Sequence, residues 1–83
     1  MSDRRLVLVE WLDAMSFQQA GWRELTEIAE ARPPTCFSVG WVLHDDSTCI
    51  VLCAHTGDSD GDGDICIPKG CITKIADLVE KHD

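Results

Sequence analysis

The chain has 83 residues, enough for one domain (residues 1–83) and not two, and at this size only roughly 60% of the unfolded surface is buried, so the core must be thin. Fifteen acidic residues against seven Lys and Arg give a net charge of -8, which disfavours DNA or RNA as a partner because displacing counterions from a phosphate backbone needs cations. A hydrophobic fraction of 45% argues against disorder, and leaves basic partner surfaces, cations or a ligand held in a local pocket open.

Met1-Ser2-Asp3-Arg4-Arg5 leads into Leu6-Val7-Leu8-Val9, and Glu10 and Asp13 interrupt the apolar run far short of a membrane span. The expectation is a chain without signal peptide or membrane role, resident in the cytoplasm. There the five cysteines (Cys36, Cys49, Cys53, Cys66, Cys71) stay reduced, and their odd number prevents complete pairing within the chain. Free cysteines are most often small apolar core residues.

Leu6–Leu12 is a short run of β-formers, expected as a first strand closed by Asp13-Ala14. Ser16 is the candidate N-cap of a helix over 17–31, in which Trp22, Leu25, Ile28 and Ala29 fall three or four apart on one face. Gly21 weakens its start, leaving 22–30 as its body, and Pro33-Pro34 ends it because neither ring nitrogen can donate a hydrogen bond. A second strand is expected over 36–43 with a bend or bulge at Gly40. Asp45-Asp46-Ser47 is a turn, and 48–54 a β-branched third strand that completes a hairpin. There follow a polar loop over 56–64, a short strand over 65–67, a tight turn at Pro68-Lys69-Gly70, a strand over 71–75 and a frayed tail or last helical turn over 76–83. This order predicts a mainly β (α+β) fold with one helix between the first strand and the hairpin. The sheet is expected to be small, antiparallel and strongly bent, or an Sm-like or SH3-like barrel, whose closing strand-turn-strand is matched in pattern by 65–75.

Asp58-Ser59-Asp60-Gly61-Asp62-Gly63-Asp64 begins like a calcium loop, with carboxylates at Asp58, Asp60 and Asp62 and Gly63 where the chain must turn. The match then breaks. Lys69 stands where a bidentate Glu belongs, and strands rather than helices flank the loop, so a solvated hairpin loop is the better account. Cys49 and Cys53 share a strand face but sit about 13 Å apart along it, too far to clasp one zinc. Cys66 and Cys71 could approach across the tight turn, with His44 or His55 as further ligands, yet no C-x-x-C pair is present and both are read as core. No metal and no cofactor are therefore expected. His44 and His55 stand in no nucleophile motif, and the chain lacks G-x-S-x-G and any phosphate-cradling loop, so it is not expected to be an enzyme.

Trp11, Trp22 and Trp41 are the remaining signal. Large aromatics fill a small core efficiently, which accounts for two of them, but such rings also stack on planar ligands and anchor interfaces. Lys69 and Lys74, with Arg4 and Arg5, are the cations near the expected sheet that could hold an anionic group. Trp11, Trp41, Lys69 and Lys74 are accordingly the candidate ligand-binding residues, with a cation supplied across a subunit interface.

Val9-Glu10-Trp11-Leu12-Asp13, Ser38-Val39-Gly40-Trp41 and Ile67-Pro68-Lys69-Gly70-Cys71-Ile72 carry a resemblance. The chain resembles short proteins of tailed phages and prophages in which a Val-x-Trp-x-Asp opening precedes an S-V-G-W hairpin and an I-P-[KR]-x-C-I ending. The likeness covers most of the chain, brings no catalytic residues with it, and leaves the Asp-rich loop in the variable part. It implies a setting of phage infection, where small acidic proteins occupy a host protein or sequester a nucleotide signal of host defence, and where a symmetric homo-oligomer suits a thin domain. The leading expectation is thus a non-enzymatic, oligomeric anti-defence protein in the host cytoplasm that sequesters a small nucleotide ligand. The alternative is an acidic inhibitor that docks on a basic host protein as a mimic of DNA charge, and a third is a calcium-dependent module through Asp58, Asp60 and Asp62.

Overall fold

Strand β1 (Leu6–Leu12) occupies the residues the sequence predicts. Successive side chains of a strand point to opposite faces, so Val7, Val9 and Trp11 turn one way and Leu6, Leu8 and Glu10 the other; Val7 and Val9 are fully buried. This is a computed structural model, and it describes residues 4–17 and 20–81. Met1 to Asp3, residues 18–19 of the expected helix and residues 82–83 of the expected tail lie outside the described residues.

After β1 come a short helix α1 (Leu25–Ala29), then β2 (Thr35–Asp45), β3 (Cys49–Thr56), β4 (Gly61–Pro68), a one-turn 3-10 helix (Lys69–Cys71) and β5 (Ile72–Asp77). The strands form one antiparallel sheet in the order β4-β3-β2-β1-β5. The fold is therefore mainly β with one α-helix among the described residues, and the sheet is open. Its two edges, β4 and β5, are joined in sequence by the single 3-10 turn, so the sheet must coil to bring the end of β4 near the start of β5. Lys69 N donates to Thr48 O at 2.8 Å, fixing that turn to the start of β3.

The concave face holds the core: Val7, Val9, Ile50, Leu52 and Ile67, with Trp11, Val42, Ile65, Ile72 and Ile75 packed around them. Gly40 belongs to this face, opposite Val7, and forms no bulge. A Cβ there would stand 3.0 Å from Leu52 Cβ and 3.1 Å from Cys53 O, so glycine permits β2 and β3 to approach. The bulge falls instead between Val42 and His44. On the convex face lie Leu6, Leu8 and Glu10 of β1, opposite Trp41, Val39 and Phe37 of β2.

Three expectations need correction. The helix covers only Leu25–Ala29 rather than 17–31; Ser16 does not cap it, and Glu24 holds the N-cap place without a side-chain bond. None of its residues is buried and Trp22 is wholly exposed, and a helical stripe without a packing partner stabilises little helix. The loop over 56–64 shrinks to 57–60, closed by a bond from Gly57 N to Asp60 O of 2.8 Å, because β3 and β4 stay paired as far as Thr56 and Gly61. The Asp-Gly run thus supplies half of an edge strand, where charge discourages further pairing. Finally, the tail is not frayed from residue 76: Ala76 and Asp77 extend β5, and Leu78 N donates to Leu6 O at 2.8 Å. No helix of the described residues is long and apolar enough to cross a membrane.

Candidate functional site

Trp41 sits half-buried on the convex face, opposite Leu6 of β1 and Cys53 of β3. Backbone bonds from Val42 N to Arg5 O and from Leu78 N to Leu6 O, each 2.8 Å, draw the start of β1 between β2 and the segment after β5. Leu78 and Val79 thereby become a wall beside Trp41, and the space enclosed is a cleft of about 550 Å³ with Arg4 and Arg5 at its margin. Its lining is apolar at Leu6, Trp41, Leu78 and Val79, and charged at Arg4, Arg5, Asp77 and Glu80.

Arg5 is held by carboxylates from two strands. Its guanidinium reaches Asp77 Oδ1 at 2.9 Å on β5 and Asp45 Oδ2 at 3.3 Å at the end of β2. Asp45 is shared with Lys69, whose Nζ lies 2.6 Å from Asp45 Oδ1. The Lys69 hydrogen bond and charge, with help from Arg5, hold the Asp45 carboxyl below its ordinary range.

The expected ligand-binding residues do not converge. Trp41 lines the cleft. Trp11 lies on the opposite, concave face, packed against the core with its Nε1 donating to Ser38 Oγ at 3.0 Å. Lys69 is engaged at the hairpin end, where its Nζ also donates to Asp46 O at 2.7 Å, and Lys74 pairs across from Glu10 on the β5 edge. Arg4 and Arg5, named in the sequence only as nearby cations, are the ones brought to Trp41. Leu78 and Val79 were hidden in the expected tail; the apolar pair following Asp77 was the signal available for them.

A second concentration of reactive groups occupies the end of the β2–β3 hairpin. His44 Nε2 lies 2.6 Å from Asp46 Oδ2. Asp46 Oδ1 accepts bonds from Thr48 N (2.8 Å), Thr48 Oγ1 (2.7 Å) and Cys49 N (3.0 Å). The His44 contact and these donors hold the Asp46 carboxyl well below the usual carboxylate range. One donor atom each from His44, Asp46 and Cys49 lie within 4.8 Å of one another. Cys66, on β4, has its thiol pushed up by a hydrogen bond with Cys49, by burial and by the charge of Asp46. Asp58, Asp60 and Asp62 form no comparable group among the described residues, and His55 pairs in register with Asp62 at the other end of β3. No family model, curated protein or solved structure matches the chain.

Proposed function

We propose that the chain is a non-enzymatic binding protein whose Trp41 cleft takes up a small planar anion of the nucleotide class, sequestering a signal of host defence in the cytoplasm. The observation that carries this is that one cleft of about 550 Å³ is lined by the Trp41 ring together with Arg4 and Arg5, the latter oriented by Asp77 and Asp45. Small-molecule pockets of roughly 300–1,000 Å³ are typically apolar with a few orienting polar groups. A base stacked on an aromatic ring gains about 1–3 kcal/mol, and a guanidinium suits a phosphate through paired N–H donors. The resemblance to small phage proteins supports the setting. A strand order that places β1 between β2 and β5, with a 3-10 link from β4 to β5, supports an Sm-like or SH3-like barrel left open along one seam.

Isothermal titration against a panel of cyclic nucleotides and ADP-ribose-type signals tests the proposal. Saturable binding of one member is expected, and Trp41→Ala should weaken it by about 10–100-fold, the loss of one stacking contact. Silence across the panel would sink the ligand reading. It would favour instead an acidic inhibitor whose net charge of -8 docks on a basic host protein, a complex that salt should weaken.

A further inference from the structure

We infer that the end of the β2–β3 hairpin is a zinc-binding site, built from His44 Nε2, Asp46 Oδ2, Cys49 Sγ and Cys66 Sγ. It is a site separate from the Trp41 cleft and does not depend on what that cleft holds. The sequence offers Cys66 and His44 as ligands only in company with Cys71 and sets them aside for want of a C-x-x-C pair; the register instead unites them with Cys49 of β3 and with Asp46 of the turn after β2. His44 on β2 stands opposite Val51 on β3, and Val51 stands opposite Cys66 on β4, so the two ligands flank one rung. Cys49 lies two residues before Val51 and therefore on the same side of the sheet. Asp46 reaches it from the turn, where Asp46 N donates to Cys49 O at 3.0 Å.

The donor set selects the metal. Two thiolates with an imidazole and a carboxylate are soft to borderline ligands, which suit zinc and disfavour calcium or magnesium. Zinc bonds of about 2.0–2.3 Å set tetrahedral edges of roughly 3.3–3.8 Å. His44, Asp46 and Cys49 already offer atoms within 4.8 Å of one another, and Cys66 stands two residues from Pro68, the register partner of Cys49, and so on the same face of the sheet. Cys66 Sγ must close on these three atoms to complete the shell, and its exposed position leaves room for that movement.

The surroundings are prepared for an ion. Thr48 and the Cys49 amide occupy Asp46 Oδ1, which fixes the carboxylate and turns Oδ2 toward His44, as an outer shell does around a metal ligand. Two thiolates, one carboxylate and a divalent ion leave a net charge of about -1, and the Lys69 ammonium, 2.7 Å from Asp46 O, lies beside it to offset that charge. Binding releases one proton from each thiol and moves the imidazole proton to Nδ1, so that Nε2 presents its lone pair. Because each thiol must give up its proton to bind, zinc should bind more tightly as pH rises. Such an ion would staple β2, β3 and β4, the support that small domains commonly use.

The test is titration of the fully reduced chain with zinc against a chromogenic chelator, together with cobalt substitution. One ion per chain is expected, with a raised Tm and a cobalt spectrum carrying thiolate charge-transfer and tetrahedral d–d bands. Cys49→Ser, Cys66→Ser and His44→Ala should each lose more affinity than the roughly 10–100-fold that removal of an outer-shell partner costs, while Cys36→Ser and Cys71→Ser bind as the parent does. His44 and Cys66 are exposed, so their variants keep the sheet, and circular dichroism verifies this. Absence of zinc binding by the reduced chain, an octahedral cobalt spectrum without charge transfer, or parental affinity in Cys66→Ser would each overturn the inference.

Discussion

Asp45 and Asp46 are neighbours at the end of β2, and each carboxylate holds a different part of the hairpin end. Asp45 ties Lys69 of the 3-10 turn to Arg5 of the cleft margin, while Asp46 closes its own turn through Thr48 and Cys49. Both carboxyls titrate below their ordinary value of 3.8 in the folded chain, so the unfolded chain binds more protons in acid. The contribution of each is therefore present above pH 3.8 and is lost as pH falls from there toward the lowered folded values. These groups are solvent-exposed, which screens the ion pairs and places more of the effect in the hydrogen bonds of Asp46. Thermal melts followed by circular dichroism across the acid range should show Tm falling as the pH drops below that value. Asp46→Asn should have a lower Tm at neutral pH and a flatter acid limb. An acid limb identical to the parent's would contradict this role for Asp46.

Among the elements, β1 was legible to the residue because its apolar run is bounded on both sides by charge, and the hairpin because a turn cluster separates two β-branched runs. What the sequence could not supply was phase and partner. Both alternating sets of β1, Leu6 and Leu8 against Val7 and Val9, are apolar, so alternation alone cannot tell the core face from the convex one. Trp11 and Trp41 consequently looked equivalent, and only the register sends one into the core and the other into the cleft. The periodicity of Trp22, Leu25 and Ile28 describes a face, and among the described residues none of its side chains is buried. Asp and Gly in β4 are loop formers by propensity, and pairing with β3 overrides it. Of the proposed zinc ligands, Cys66 and His44 are visible as candidates in the sequence, whereas their grouping with Cys49 and Asp46 is set by the register of β2, β3 and β4. Gly40 is where this close strand packing is most exposed to test. In Gly40→Ala the new methyl meets Leu52 Cβ and the Cys53 carbonyl, and overpacking of that kind costs about 1–3 kcal/mol. Urea unfolding should show a lower midpoint with an unchanged slope; a midpoint equal to the parent's would mean that β2 and β3 separate without cost.

The whole molecule exposes 6714 Å² of surface, whereas a folded monomer of 9.2 kDa is expected to expose about 4,900 Å². Part of the exposed surface is apolar and continuous: Phe37 and Val39 are 63% and 55% exposed and stand on the same side of β2 as Trp41. A second copy laid over this face would cover them and deepen the Trp41 cleft, giving the thin core the added burial it lacks. The charge of -8 on each chain opposes that association, and salt should relieve the repulsion. Light scattering on a size-exclusion column should therefore report more than one chain per particle, with the larger species favoured as salt is raised. Val39→Asp, which places a charge at an exposed position, should shift the particle toward 9.2 kDa while leaving the far-ultraviolet spectrum intact, and should weaken nucleotide binding along with it. A parent that runs as a single chain at every salt concentration would contradict self-association and assign the uncovered face to a different protein.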